Sequence, residues 1–155
     1  MNENNTRQNT LVLSLGSNQG DKKQNIEKAY CLLEQRLGKI QACSDFFVTE
    51  PWGFDSEEMF VNSACIILTP IPPEECLEII HETEKQLGRV RNKKKGYSDR
   101  TIDIDILFYS DEIINTPCLK IPHPLLHLRE FVLTPLRQIC PEFYHPVLKK
   151  KIKDI

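Results

Sequence analysis

Four apolar runs in the chain predict β-strands. Each is rich in β-branched or aromatic residues and is bounded by Gly, Pro or acidic residues, which is the pattern of buried or half-buried strands. They are residues 10–18, 39–50, 59–69 and 102–109. The stretch between the second and third runs, "PWGFDSEE", is predicted to be a loop because it combines Pro, Gly and acidic residues.

Apolar residues at three- and four-residue spacing predict helices between these strands. The first helix is predicted to begin after Asp21, a good N-cap residue, and to stop at Gly38. The second is predicted over 73–87, with a proline in its first turn. A third helix is predicted from near Arg129 to about Ile139, with an internal proline that favours a kink or a late start.

The order of these elements is β-α-β-β-α-β followed by an extra helix. This order predicts an α+β fold of the ferredoxin-like type, an antiparallel sheet with helices packed on it and an additional C-terminal helix. The Pro-rich connection after the fourth strand has room for a short hairpin between "EIIN" and "CLKI".

Length and composition predict one domain. With 155 residues, 40% hydrophobic and 27% charged, the chain can bury one core but not two. We interpret 1–155 as a single domain with a polar leader at 1–9 and a solvated basic tail at 146–155. No apolar stretch has the length of a membrane span, and the start lacks the apolar segment of a secretory signal, so a cytoplasmic location is predicted. A monomer is also predicted, because nothing in the sequence requires a larger assembly.

Charge and cysteine usage narrow the function classes. The net charge of −2 argues against a general nucleic-acid binder, which normally carries a basic surface. The six cysteines have neither zinc-ligand nor redox-motif spacing, so buried thiols are favoured over a disulfide framework.

Asp103 and Asp105 are the clearest candidates for chemistry. Because side chains alternate along a strand, both carboxylates are predicted to point to one face, roughly 6 to 7 Å apart at Cα. The apolar alternate residues are predicted to point to the other face, namely Ile102, Ile104, Ile106 and Phe108. Two like charges so close favour a bound cation, and oxygen-only ligands suit Mg²⁺. Taken alone, the same pattern favours the solvated face of an edge strand over a metal site.

A basic segment just before the aspartates changes that balance. It contains six cationic residues, Arg89, Arg91, Lys93, Lys94, Lys95 and Arg100. Cations beside a metal-binding carboxylate pair are what a polyphosphate requires, and phosphoryl-type transfer depends mainly on positioning and charge neutralisation. The chain has no G-x-x-x-x-G-K-[ST] loop. Composition and spacing therefore predict a magnesium-dependent protein that acts on a nucleoside triphosphate or another polyphosphate.

Several sequence motifs together resemble one known family. The runs "LGSN", "TEPWGF", "FVNSA", "GRVR", "DRTIDIDILFY" and "IPHPLLHLREFVLTPL" occur in the order found in hydroxymethyl-dihydropterin pyrophosphokinases of folate biosynthesis, over about residues 11 to 143. The resemblance implies a ferredoxin-like fold. It also implies transfer of pyrophosphate from ATP to the hydroxymethyl group of 6-hydroxymethyl-7,8-dihydropterin, with release of AMP.

The resemblance also implies roles for individual residues. Asp103 and Asp105 would hold two Mg²⁺ ions and, with Arg89 and Arg91, form the catalytic set. Residues implied to contact ATP are Glu84, Arg89, Arg91, Arg100, Ile106, His123 and Arg129. Residues implied to bind the pterin, by stacking rings or by hydrogen bonds from side chain or backbone, are Thr49, Glu50, Trp52, Phe60, Asn62 and Phe131.

Two alternatives remain open at the level of sequence. The chain could be a noncatalytic nucleotide- or pterin-binding module that kept the fold and lost turnover. A nuclease or nucleic-acid binder using the two aspartates and the basic segment is disfavoured by the overall acidity. Without the resemblance, Phe60 and Phe131 would be interpreted as core residues.

Overall fold

A computed structural model of the chain describes residues 7–50, 59–88 and 101–155. Within these ranges five strands form one antiparallel sheet, in the order β2-β4-β1-β5 with β3 also paired to β4. The strands are β1 Asn9–Ser17, β2 Lys39–Cys43, β3 Phe47–Thr49, β4 Phe60–Thr69 and β5 Asp103–Tyr109. The helices are α1 Lys22–Arg36, α2 Pro73–Gln86 and α3 Glu130–Ile139.

Two short hairpins complete the described structure. The first joins β6 Ile114–Asn115 to β7 Lys120–Ile121, where the sequence left room for it. The second joins β8 Tyr144–His145 to β9 Lys150–Lys151. Single 3₁₀ turns occupy Leu126–Leu128 and Ile152–Asp154.

Helices α1 and α2 pack on one face of the sheet, and the predicted ferredoxin-like arrangement is confirmed. Asp21 caps α1 as predicted, since its carboxylate accepts the Gln24 N–H at 3.1 Å. The helices bury their apolar stripes against alternate residues of β1, β4 and β5, and burying each such side chain contributes about 1.5 to 3 kcal/mol. This core includes Leu11, Leu13, Leu15, Ile26, Leu33, Ile67, Ile80 and Ile104.

Helix α3 packs on the opposite face and builds a second, smaller core. It begins directly after Arg129 and continues through Pro135. Its buried residues meet the alternate positions of the same strands, so β1 is buried on both faces. This core contains Val12, Ala64, Leu107, Phe108, Leu126, Val132, Leu133, Leu136 and Ile152.

The predicted alternation along the fourth long strand is wrong at Phe108. Val12 pairs with Phe108 while Leu13 pairs with Ile106, so Leu107 is an extra residue in β5 and forms a β-bulge. Beyond the bulge the side chains change faces. Phe108 therefore lies in the α3 core, 4.6 Å from the ring of Phe143, on the same face as the two aspartates.

The predicted strand over 39–50 is two strands, β2 and β3. At the break, the Ser44 hydroxyl accepts the Ala64 N–H at 2.9 Å, which takes the place of a backbone ladder bond. The next residue, Asp45, is held by Gln138 of α3 through two hydrogen bonds, both 2.7 Å long. Both strands pair with β4, but to different segments of it.

The C-terminal segment is not a solvated tail. Ile152 is completely buried in the α3 core, and its N–H donates to the Phe143 carbonyl at 2.9 Å. Lys151 and Lys153 remain at the surface, where both bind the Glu142 carboxylate at 2.9 Å. The lysine-rich composition concealed one apolar position that anchors the end of the described chain.

The prediction of buried thiols holds for only part of the set. All six cysteines are free, but just two of them are fully buried, Cys65 and Cys76. Cys140 is half-buried, whereas Cys31, Cys43 and Cys118 are exposed. No helix within the described ranges is long and apolar enough to cross a membrane.

The burial of Ile152 predicts a large loss of stability on truncation. Ile152→Ala should lower the free energy of unfolding by about 2 to 5 kcal/mol, because it opens a cavity in the α3 core. Urea-induced equilibrium unfolding measures this change. The control Val147→Ala, at a side chain that is 52% exposed, should change the free energy by no more than about 0.5 kcal/mol. Equal effects of the two substitutions would show that the segment does not anchor the core.

Candidate functional site

The pairing of three strands brings the two groups of predicted site residues onto one face of the sheet. Gly16 of β1 pairs with Asn62 of β4 on one side and with Asp103 of β5 on the other. Paired residues point to the same face, so the predicted pterin residue and the predicted metal ligand stand two strand spacings apart, roughly 9 to 10 Å. Asp105 lies two residues further along β5 on the same face, where it pairs with Ser14 of β1.

Gly16 has no side chain, so the space between Asn62 and Asp103 stays open. A Cβ atom at this position would lie 3.0 Å from Asn62 Oδ1 and 3.6 Å from the ring of Phe60. A glycine inside a strand is often a sign of such a close approach, and this signal was present in the "LGSN" run. No role was predicted for Gly16 from the sequence.

Phe60 and Asn62 form the predicted pterin side of the site, and Thr49 joins them. The Asn62 side chain is 3% exposed, and its Nδ2 donates to Thr49 Oγ1 at 2.6 Å. This bond fixes the orientation of the amide and leaves Oδ1 beside Gly16. Glu50 is exposed directly after β3, and Trp52 lies outside the described residues.

Asp103 and Asp105 line a cavity of about 390 Å³ beside β5. Both carboxylates are half-buried. The walls come from α2, from the β6–β7 hairpin and from the segment that leads into α3, so the cavity is bounded by parts distant in sequence. The lining residues include Leu77, His81, Ile106, Cys118, Leu119, Lys120, His123 and Arg129.

His123 presents a neutral donor to this cavity. Its Nδ1 accepts the Leu125 N–H at 3.1 Å, so in the neutral ring the proton is carried by Nε2. Burial lowers the pKa of His123, and the nearby Asp103 carboxylate opposes that shift. The lowered pKa keeps the ring neutral at pH 7. The backbone N–H of His123 donates to the Leu107 carbonyl at 3.0 Å, which joins this residue to the bulge in β5.

Arg129 and Phe131 enter the same face from the start of α3. Arg129 is 3% exposed, and its guanidinium carbon lies 5.7 Å from the centre of the Phe131 ring. Burial lowers the pKa of Arg129, although an arginine stays protonated at neutral pH. Arg129 reaches the cavity of the two aspartates, while Phe131 packs at the border of the α3 core.

Glu84 supports the strand that carries the aspartates. It is 1% exposed, and its Oε2 accepts the N–H of Ile104, the residue between Asp103 and Asp105, at 2.8 Å. Because β5 is an edge strand, this N–H points away from the sheet, and the carboxylate satisfies it. The structure thus shows a positioning contact, while the predicted contact of Glu84 with a nucleotide stays a prediction.

Asn25 is a supporting residue that the sequence analysis did not identify. Its Nδ2 donates to the Gln19 carbonyl at 2.8 Å, to Ser17 Oγ at 3.2 Å and to the Thr101 carbonyl at 3.3 Å. It therefore ties the end of β1 to the residues just before Asp103. A polar residue on a helix gives no sign in the sequence that its partner lies 76 positions away.

The donor set fits a magnesium ion that is shared with a ligand. Within the described ranges no group of three or more His, Cys, Asp or Glu side chains could enclose a metal ion. Two half-buried carboxylates on one face suit Mg²⁺, which keeps several waters and binds substrate phosphates as well. The predicted contacts of Arg89, Arg91 and Arg100 lie outside the described residues.

Comparison with known proteins gives a family match over most of the chain. Residues 12–141 match the family model described as 7,8-dihydro-6-hydroxymethylpterin-pyrophosphokinase (HPPK). The 2-amino-4-hydroxy-6-hydroxymethyldihydropteridine pyrophosphokinase of Aquifex aeolicus is 41% identical over 145 residues, which are 94% of this chain and 89% of that protein.

Longer proteins contain a similar region. The folic acid synthesis protein FOL1 of Dictyostelium discoideum is 41% identical over 147 residues, but these cover 95% of this chain and only 22% of that protein. A crystal structure of Plasmodium falciparum HPPK-DHPS with pteroate superposes with a TM-score of 0.77 at 20% identity, over 96% of this chain and 42% of that one. At this identity the superposition supports the fold alone.

The contacts of Asn25 predict a local effect at the start of β5. In Asn25→Ala, amide hydrogen exchange of Ile102 and Asp103 should become about tenfold faster, since the lost bonds are worth roughly 1 to 1.5 kcal/mol. The matched control is Asp21→Ala, which removes a side-chain bond from the same helix end without touching Thr101. It should speed exchange in the first turn of α1 only. Unchanged exchange of Ile102 and Asp103 in Asn25→Ala would contradict the positioning role.

Proposed function

Because the chain belongs to the 7,8-dihydro-6-hydroxymethylpterin-pyrophosphokinase family, we propose that it transfers pyrophosphate from ATP to 6-hydroxymethyl-7,8-dihydropterin and releases AMP. The acceptor is the hydroxymethyl group, and the reaction belongs to folate biosynthesis. One observation carries the proposal. The pairing of Gly16 with both Asn62 and Asp103 brings a residue proposed to bind the pterin and a residue proposed to hold metal-bound phosphates onto one face of the sheet.

The pterin would lie over Gly16, beside Asn62. Phe60 and Phe131 supply aromatic faces for stacking, and Asn62 Oδ1 can accept from the N–H edge of the ring. The bond from Asn62 Nδ2 to Thr49 orients the amide before the ligand arrives, which reduces the entropy lost on binding. Contacts of the pterin with Glu50 and Trp52 remain part of the same proposal.

The triphosphate would occupy the cavity along β5. Arg129 and His123 line this cavity, and their guanidinium and Nε2–H would donate to phosphate oxygens there. Lys120 adds a further cation. Ile106 and Leu119 give the cavity an apolar wall that suits a nucleoside. Arg89, Arg91 and Arg100 are proposed to add charge-assisted hydrogen bonds to the same phosphates.

Asp103 and Asp105 would hold the Mg²⁺ ions. When bound, these ions neutralise negative charge on the phosphates and polarise the phosphorus that is attacked. The chain's own contribution is alignment, because the hydroxymethyl oxygen must approach the β-phosphorus opposite the oxygen that leaves with AMP. Asn62 fixes the acceptor on one strand and Asp103 fixes the phosphates two strands away, so the sheet itself sets their separation. The cytoplasmic location and the monomeric state stay predictions from the sequence.

Product identification tests the proposed reaction. Purified protein with Mg²⁺, ATP and the hydroxymethyl pterin should form AMP and the pterin diphosphate, and AMP should not form without the pterin. Formation of ADP in place of AMP would refute pyrophosphate transfer. Tight binding of both substrates by calorimetry, with no product after long incubation, would favour the noncatalytic module.

The metal ligands predict a selective loss of turnover. Asp105→Asn should lower kcat by about two to three orders of magnitude, because a neutral amide is a poor Mg²⁺ ligand. The dissociation constant of the pterin should stay within a few-fold of the original value, since Phe60 and Asn62 are untouched. The matched control is Asp111→Asn, at an exposed aspartate in the turn after β5, and it should leave kcat unchanged. Near-normal turnover in Asp105→Asn would refute the metal assignment.

A further inference from the structure

Two cysteines on neighbouring strands stand directly opposite each other in the sheet. Cys43 of β2 pairs with Cys65 of β4, and in the next pair the Ser44 N–H donates to the Ala64 carbonyl at 2.8 Å. Hydrogen-bonded and non-hydrogen-bonded pairs alternate along an antiparallel ladder, so the cysteines occupy a non-hydrogen-bonded position. Cα atoms at such positions are roughly 4.5 Å apart, within the range of about 4.4 to 6.8 Å that disulfides span.

The surroundings of the two thiols are different. Cys65 has no exposed surface and belongs to the core under α1, whereas Cys43 is exposed at the edge of the sheet. The Tyr30 hydroxyl of α1 shares a hydrogen bond with the Ser63 hydroxyl and donates to the Ala64 carbonyl at 3.3 Å, so it contacts β4 next to Cys65. A reagent in solution therefore reaches Cys43 first, and Cys65 can react only with a neighbour inside the sheet.

We propose that Cys43 is a modification site for low-molecular-weight disulfides such as oxidised glutathione, and that Cys65 converts the adduct into a cross-strand disulfide. In the first step the Cys43 thiolate attacks one glutathione sulfur, the glutathione disulfide breaks, and one glutathione thiolate leaves. In the second step Cys65 gives up its proton and attacks the Cys43 sulfur, which releases the second glutathione. The two cysteines are oxidised by two electrons, and one oxidised glutathione becomes two reduced molecules.

The electrostatic environment makes this exchange slow at neutral pH. Burial raises the pKa of the Cys43 thiol, and the Glu34 carboxylate of α1 raises it further. Burial also raises the pKa of Cys65 well above its ordinary value, with a smaller contribution from Cys43. Only the thiolate attacks a disulfide, so the rate of both steps should rise with pH. Both steps are therefore slow near neutral pH, and oxidation requires sustained exposure to the oxidant.

The disulfide would join the edge strand β2 to the centre of the sheet. It would enclose the segment from Cys43 to Cys65, which includes Thr49, Phe60 and Asn62. A crosslink of this kind stabilises the fold mainly by restricting the unfolded chain. The inference rests on the strand pairing and on the thiols, and it stands or falls separately from the proposed enzymatic activity.

Mass spectrometry of the folded full-length chain tests this inference. After incubation with oxidised glutathione at alkaline pH and quenching with N-ethylmaleimide, proteolysis should yield one crosslinked peptide that joins Cys43 to Cys65. In Cys65→Ser the reaction should stop at a stable glutathione adduct on Cys43. In Cys43→Ser, which alters only an exposed side chain, no crosslink should form and Cys65 should stay unmodified.

Two other cysteines provide internal controls. Cys31 on α1 and Cys118 between β6 and β7 are exposed, and neither is in a cross-strand pair with a cysteine. Both should accumulate simple glutathione adducts under the same conditions.

The oxidised chain should also unfold at a higher urea concentration than the reduced chain, and this shift should be absent from Cys43→Ser. A stable adduct on Cys43 in the original chain, with no crosslinked peptide, would overturn the proposal.

Discussion

The candidate site depends on the register of β1 between β4 and β5. This strand is buried on both faces, and it contributes backbone and a glycine to the row Asn62, Gly16 and Asp103. Because side chains alternate along a strand, a slip of one residue on either side would turn Asn62 or Asp103 to the α1–α2 face. Such a slip would also expose the apolar residues of both cores. The packing energy of the cores therefore fixes the relative placement of the polar groups.

The edge position of β5 gives a ligand access to the aspartates but leaves the strand in need of support. Among the strands that the structure describes, its backbone pairs with β1 alone, and groups outside the sheet support it. Glu84 binds the Ile104 N–H from α2, Asn25 holds the Thr101 carbonyl from α1, and the His123 N–H binds the Leu107 carbonyl. Three separate elements thus hold one strand. Side chains mounted in this way keep their geometry although their strand borders a cavity.

Hydrophobic periodicity was sufficient to predict the element order, the two-helix face and the shared face of Asp103 and Asp105. These features follow from local patterns of two and 3.6 residues. The bulge at Leu107 could not be predicted, because it depends on which residue of β1 each residue of β5 meets. The burial of Ile152 was missed for a related reason, since a single apolar residue among lysines becomes informative only when α3 is in place. The supporting bonds of Asn25 and Glu84 likewise join segments distant in sequence.

Charge balance connects the described cavity with the basic segment of the sequence. The cavity presents the carboxylates of Asp103 and Asp105 and the cations of Lys120 and Arg129, and its His123 is neutral at pH 7 because burial lowers its pKa. These charges nearly cancel, whereas a triphosphate brings several negative charges of its own. Binding such a ligand requires additional positive charge, which Mg²⁺ on the aspartates would supply in part. The six cationic residues between 89 and 100 come directly before β5 in the sequence, and we propose that they supply the remainder. In the proposed function, one continuous segment carries both signs of charge because a single ligand, metal-bound ATP, would satisfy them together.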